Sequence, residues 1–225
     1  MIGIGLAVAM LALQEPAEVL TVQQDSPAMT AALANKPLMK VAPKFKSGPE
    51  DVFPEAARAA GEHGSVKISG ILGVDGRLSE LKVALTSRSA LLDQSAMTTA
   101  AATVFEPARD AKGTPISVPI SVPYAFDNSR TPGRGGGVLR YKCDQFARDM
   151  DWWYRTWPES KKDTFYTLVL GVSLLSQGGL KVGLNREFES RWKAAIEACK
   201  TKPDRLFIDV FQPEGEVMRR LANQN

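Results

Sequence analysis

Histidine occurs once in this 225-residue chain and cysteine twice. One imidazole and two thiols cannot supply the four ligands of an ordinary structural zinc site. A histidine-based nucleophilic dyad needs a serine or cysteine in reach and a third group to orient the base. His63 sits in the glycine-flanked stretch Gly61-Glu62-His63-Gly64 with none suggested, and reads as a solvated turn residue. G-x-S-x-G, Walker and metal-ligand spacings are also missing. Acidic pairs such as Glu187 and Glu189 fall on what should be solvated helix surface. No catalytic role and no cofactor are therefore expected. Excess charge is lacking too: 28 basic against 25 acidic residues leave +3, scattered over the chain, which gives no footing for nucleic acid.

A long hydrophobic run is the third absence. Met1 to Leu13 is uniformly apolar or small. At about 1.5 Å per residue it reaches roughly 20 Å, short of a ~30 Å hydrocarbon core. Its length suits the apolar region of a secretory signal, although no Lys or Arg precedes it and Ala12-Leu13-Gln14 is a poor cleavage site. Residues 1–14 are read as a signal peptide or short anchor, and 15–50 as an extended tether.

What is present is concentrated between Phe53 and Phe126. Pro54, Glu55 and the following alanines form a short helix, with Gly61 to end it. Val66, Ile68, Leu72 and Val74 then alternate with polar or small residues, so a half-buried strand follows, with Ile71 on the wrong face. Asp75-Gly76 is a hairpin signal, and Leu81, Val83 and Leu85 give the return strand. Leu92, Ala96, Ala100 and Val104 recur at helical spacing behind a capping Ser89. Ile116, Val118, Ile120, Val122, Tyr124 and Phe126 are all even-numbered and apolar, the pattern of a last strand. Helix, strand, strand, helix, strand is an α+β module with helices on one face of an antiparallel sheet.

The prolines sharpen this. Pro115, Pro119 and Pro123 are all odd-numbered, so their missing N–H groups fall on one long edge. A central strand cannot tolerate that. The strand belongs at a sheet boundary, paired internally through its even residues. The odd edge is then either protection against aggregation or a docking edge for a strand from another protein.

The ordered set Phe53-Pro54-Glu55-Ala56-Ala57, Gly64-Ser65-Val66, Asp75-Gly76-Arg77, Leu91-Leu92-Asp93, Phe105-Glu106-Pro107-Ala108 and Val118 to Phe126 resembles the C-terminal domain of TonB-family energy transducers. The resemblance covers about a third of the chain. It implies a periplasmic module that binds an extended segment of an outer-membrane receptor, or of another periplasmic protein, beside the final strand. The residues implied are Ile116, Ser117, Val118, Ile120, Ser121, Val122, Tyr124, Ala125 and Phe126. It implies no catalytic residue. The chain departs from those transducers in its short apolar run, which holds no ionisable or hydroxyl residue, and in having no Pro-Lys repeats. The alternative is a soluble periplasmic adaptor that uses the module for self-association as a homodimer.

After the module (51–127), a Gly-rich linker (128–137) precedes a helical domain (138–225), for which no family is recognised. No Lys-Ser/Thr follows the glycines, so a phosphate loop is not expected. Cys143, Phe146, Met150, Trp153 and Trp157 share one helix face. Phe165, Leu168, Val169, Val172 and Leu175 share a second, and Phe188, Trp192, Ile196 and Cys199 a third. Leu206 to Phe211 is a strand or a helix turn, and Glu216 to Leu221 closes the chain with another turn. Trp152 and Tyr154 fall off the first stripe and are the only aromatics of that group free to face a ligand. In an exported protein Cys143 and Cys199, on inward faces of two helices, favour a disulfide.

Overall fold

The computed structural model describes residues 25–49, 53–127, 137–160, 162–176 and 184–222. The apolar N-terminal segment and the glycine run of the linker lie outside these residues. Ser26-Pro27 opens helix α1 (Pro27–Asn35), where the Ser26 hydroxyl accepts the Met29 N–H at 2.9 Å and proline suits the first turn. Residues 25–49 are therefore not the extended tether expected from their composition. Ala32 of α1 is fully buried. Further on, β1 (Lys44–Ser47) pairs antiparallel with β4 (Val104–Glu106), and Val41 and Arg109 exchange backbone hydrogen bonds at 3.1 Å each way. A polar-looking segment folds because it finds sheet partners and one apolar contact on the module.

The main sheet has the order β3-β2-β5, with β2 (Gly64–Leu72) between β3 (Leu78–Leu85) and β5 (Val118–Phe126), all antiparallel. Helix α2 (Glu55–Ala60) ends at Gly61, whose φ of 77° is the left-handed stop that glycine allows. Helix α3 (Ala90–Ala102) starts where the Ser89 hydroxyl accepts the Leu92 N–H. Its Leu92, Ala96 and Ala100 are completely buried against Ala57, Val66, Ile68 and Phe126. Packing thus holds a helix whose Thr- and Ala-rich surface would not hold itself.

Four sequence expectations change here. Val104 leaves the helix and enters β4. Val83 and Leu85 are exposed, because β3 is broken by two register shifts and overruns the cover of α3. Val74 lies in the hairpin turn, past the end of β2, and is exposed. Ile71 is buried although it points away from α3, because this end of the sheet is covered on both faces. The Asp75-Gly76 turn itself is tight. Gly73 N–H bonds the Arg77 carbonyl at 2.9 Å, and Gly76 (φ 78°) lies so close to β4 that a Cβ would meet the Phe105 carbonyl oxygen at 2.0 Å.

The helical lobe comprises α4 (Cys143–Thr156), α5 (Thr164–Ser176), α6 (Leu184–Thr201), α7 (Phe207–Val210) and α8 (Glu214–Ala222). The ambiguous run at Leu206 to Phe211 is a helical turn. The core is mainly aromatic, with Phe146, Phe165, Trp192 and Phe207 in mutual ring contact, Phe146 and Phe207 at 4.5 Å. The inward face of α5 is Phe165, Tyr166, Val169, Val172 and Ser173; Leu168 and Leu175, placed inside by the periodicity, are exposed. Ser173 turns inward because Glu214, fully buried, accepts its hydroxyl at 2.6 Å and a guanidinium N–H of Arg191 at 2.6 Å. Cys143 and Cys199 are joined as a disulfide with Cα atoms 4.6 Å apart, tying α4 to α6.

The lobe is seated on the module. Gly61 lies against the backbone of Arg148 and Asp149, so closely that a Cβ would fall 2.7 Å from the Arg148 carbonyl. Gln145 donates to the Arg58 carbonyl at 3.0 Å. The Arg88 guanidinium lies 3.7 Å from the centre of a Trp157 ring and pairs with Glu159. Trp153 and Trp157, expected in the lobe core, belong instead to this junction, whereas Trp152 is buried. His63 is buried as well, contrary to the solvated turn expected.

Candidate functional site

The two outer strands of the main sheet offer different edges. Along β3 the register shifts twice, and Glu80 is forced to a φ of 49°. Such breaks twist an edge and blunt it as a template. β5 pairs with β2 through nine consecutive residues, from Gly64–Phe126 to Leu72–Val118, with no shift. In an antiparallel ladder alternate pairs exchange both backbone bonds. Pro119 and Pro123 cannot donate, so the exchange falls on the even residues, and the odd residues turn their backbone groups away from β2.

The outward flank is bracketed. At one end the Asn35 side chain of α1 donates to the Ser117 carbonyl at 3.1 Å. At the other, Ala125 and Asp127 share a cavity of about 160 Å³ with Asp163, Thr164 and Phe165 at the start of α5. Between these shoulders lie Pro119 to Ala125, with Ser121, Pro123 and Ala125 exposed. The open length is about 20 Å at ~3.4 Å per residue. It presents the carbonyls of Pro119, Ser121, Pro123 and Ala125 and the N–H groups of Ser121 and Ala125. Among the described residues, Asn35 is the one group that hydrogen-bonds to this flank.

The residues anticipated from the sequence divide accordingly. Ile116 precedes β5 and donates its N–H to the Ala108 carbonyl at 2.9 Å, so it is not on the open flank. Ser117 is capped by Asn35. Val118 and Phe126 are buried, and Ile120, Val122 and Tyr124 are half-buried on the core side. Burial pushes the Tyr124 phenol up, opposed by a hydrogen bond with Thr103. Of the anticipated set, Ser117, Ser121 and Ala125 turn outward, and only the last two lie in the open stretch. Pro119 and Pro123 lie outside the anticipated set, yet their carbonyls are half of the acceptors in the open stretch; odd-even parity is the signal that finds them. Asn35 and Asp163 carried no local signal.

At the lobe junction, His63 Nδ1 lies 2.9 Å from the Gly61 carbonyl and Nε2 lies 3.1 Å from Asp163 Oδ2. The ring stacks on Trp153 at 5.2 Å and touches Trp152. Burial works to lower its pKa. The Asp163 hydrogen bond and charge, with the charge of Asp149 and the Gly61 carbonyl, outweigh burial and raise it above the ordinary 6.5. An acceptor at each ring nitrogen suits the doubly protonated cation. Among the described residues no serine or cysteine nucleophile is poised on this pair, which holds two lobes together.

Residues 49–127 match the family model of the Gram-negative bacterial TonB protein C-terminal. This stretch is a TonB C-terminal-like segment. The match begins just past β1, runs through α2, β2, β3, α3, β4 and β5, and stops before the helical lobe. The TonB-like module is a protein-interaction module. No curated protein matches the chain. No helix among the described residues is long and apolar enough to cross a membrane.

Proposed function

We propose that the chain is a periplasmic binding protein whose TonB-like module takes up an extended segment of an outer-membrane receptor, or of another envelope protein, on the outward flank of β5. The supporting observation is the contrast between edges: β3 is broken, whereas β5 is regular and open from Pro119 to Ala125. Strand addition is the recognition mode that such an edge serves. The flank is acceptor-rich, so a guest strand must donate to most of it and cannot carry proline at those positions. The Cys143–Cys199 pairing supports an oxidising compartment. A role in energy-dependent uptake follows from the family and rests on it alone.

The test is a titration of the full chain with peptides from receptor plug regions, read by amide NMR. Binding on this flank shifts Ser121 and Ala125 and slows their exchange with solvent. Binding that leaves both amides unmoved, or no binding by any peptide, removes the proposal.

A further inference from the structure

The polar groups that fasten the helical lobe to the module differ in how they answer to pH. Gln145 donates to the Arg58 carbonyl at 3.0 Å. Arg88 donates to the Thr156 carbonyl at 2.8 Å and pairs with Glu159. Neither a side-chain amide nor a guanidinium changes charge near neutrality, and Arg88 holds the Glu159 carboxyl below its ordinary range. His63 is different. Its Nε2 lies 3.1 Å from Asp163 Oδ2 and its Nδ1 lies 2.9 Å from the Gly61 carbonyl, and imidazole is the side chain that titrates in this range.

Both ring nitrogens face oxygen. The cation satisfies both; a neutral ring keeps one proton and turns a lone pair on the other oxygen. With the proton on Nε2, the lone pair of Nδ1 meets the Gly61 carbonyl. Gly61 is where the lobe is seated, at a φ of 77° and so close to the Arg148 backbone that no Cβ fits. With the proton on Nδ1, the lone pair of Nε2 meets the Asp163 carboxylate at the start of α5. Either tautomer disturbs the same junction. Asp163 and Asp149 of α4 both favour the cation, and Asp127, past the end of β5, lines a cavity with the ring. Cations nearby are engaged elsewhere: Arg88 with Glu159, Arg148 with Asp144, Arg58 with Glu55, and Lys162 over the Tyr166 ring. Glu62, next in the chain, accepts the Ser89 hydroxyl.

The junction reaches β5. His63 immediately precedes β2, and its neighbour Gly64 pairs with Phe126 at the end of β5. The cavity of about 160 Å³ beside the ring is also lined by Ala125, Asp127, Asp163 and Phe165. The start of α5 is thus the wall that limits the outward flank. We propose that His63 is a proton-operated clasp: as a cation it holds the lobe against the Ala125 end of β5, and as a neutral ring it lets the lobe go and extends the open flank to Asp127. Docking that needs the cation is complete below the free imidazole value near 6.5 and is lost as pH rises through the raised value of the docked ring. The longer flank bears on peptide capture only through the proposed role of β5; the clasp itself does not rest on that role.

The experiment uses the ¹⁵N-labelled full chain in a weakly aligning medium. Amide dipolar couplings of module and lobe are measured from below pH 6.5 to beyond the midpoint of His63, which the carbon-bound ring proton reports. Below the midpoint, module and lobe are expected to fit one alignment tensor. Above it, the lobe couplings should shrink and require a tensor of their own. Asp163→Asn separates a clasp from packing alone. Its side-chain oxygen still caps Tyr166 while its amide N–H donates to a neutral Nε2, so this variant should stay docked where wild type has let go. One tensor on both sides of the midpoint, a ring that does not titrate before the chain unfolds, or an Asp163→Asn chain that releases together with wild type overturns the proposal. If the variant does not fold, the wild-type couplings decide by themselves. A receptor plug peptide added to each state keeps the two ideas apart. No amide shift in β5 removes peptide capture alone, and the couplings still decide the clasp. Binding that reaches the Asp127 amide only in the released state supports both, and binding that stops at Ala125 in that state overturns the longer flank.

Discussion

Replacing His63 by alanine tests how the two lobes are held. The imidazole bridges the end of α2 to the residue that opens α5, with Nε2 3.1 Å from Asp163 Oδ2 and side chains only 8% and 2% exposed. Asp163 also caps α5, accepting the Tyr166 N–H at 2.7 Å. Deleting the imidazole leaves a buried carboxylate with its helix cap but without its cation. Breaking a buried pair by removing one partner costs about 3–5 kcal/mol. The lost stacking on Trp153 adds about 1 kcal/mol. A destabilisation of about 4–6 kcal/mol is therefore expected in urea unfolding followed by tryptophan fluorescence, since Trp152 and Trp153 flank the ring.

Its pH dependence follows from the raised pKa. A group that binds its proton more tightly when folded contributes stability that is complete below the unfolded pKa, near 6.5, and fades as pH rises through the folded pKa. Each unit of upward shift corresponds to about 1.4 kcal/mol. Because the chain has a single histidine, wild-type stability should fall as pH rises from the unfolded value near 6.5 through the raised folded pKa of His63, a fall that His63→Ala should lack. A loss below about 1 kcal/mol on substitution, or wild-type stability that climbs over that window, would refute the reasoning.

Four further outcomes are expected. Ser121→Pro removes one of two outward donors without touching the β2 ladder, so it should weaken peptide binding by about tenfold at most and leave the urea midpoint nearly unchanged. Cys143→Ser with Cys199→Ser opens a loop of 56 residues and should cost about 4 kcal/mol in the chain-entropy model; thiol counting on exported, denatured wild-type protein should find no reactive cysteine. Gly76→Ala puts a Cβ 2.0 Å from the Phe105 carbonyl at a φ of 78°, which should lower stability by about 2 kcal/mol or more. Arg191→Met leaves Glu214 buried without its cation and should cost about 3 kcal/mol in thermal or urea melts.

Much of the module was legible because its signals are local. A period of two over Val118 to Phe126, a capping Ser89 and the Asp75-Gly76 turn each specify geometry within a few residues. The position of β5 at a sheet boundary followed from three prolines of one parity. What was not legible depends on contacts distant in the chain. His63 looks solvated beside glycines, and only Asp163, 100 residues on, makes it a buried partner. Residues 25–49 look like tether because their anchors, Arg109 and Ser117, come far later. In the lobe, helical spacing located the helices but misjudged which face turns inward. Ser173 is buried for Glu214 and Leu175 is not, and no periodicity encodes that preference. At the candidate edge, side-chain alternation pointed to the strand, but the useful atoms are backbone carbonyls, two of them on prolines.

The shoulders at either end of β5 act on the shape of the visitor. Asn35 stands at one limit and the opening turn of α5 at the other, so the gap admits a short run of backbone and nothing broad. A slender peptide slides between them. A whole second molecule would arrive with shoulders of its own, and growth of sheet upon sheet would stall at the first layer.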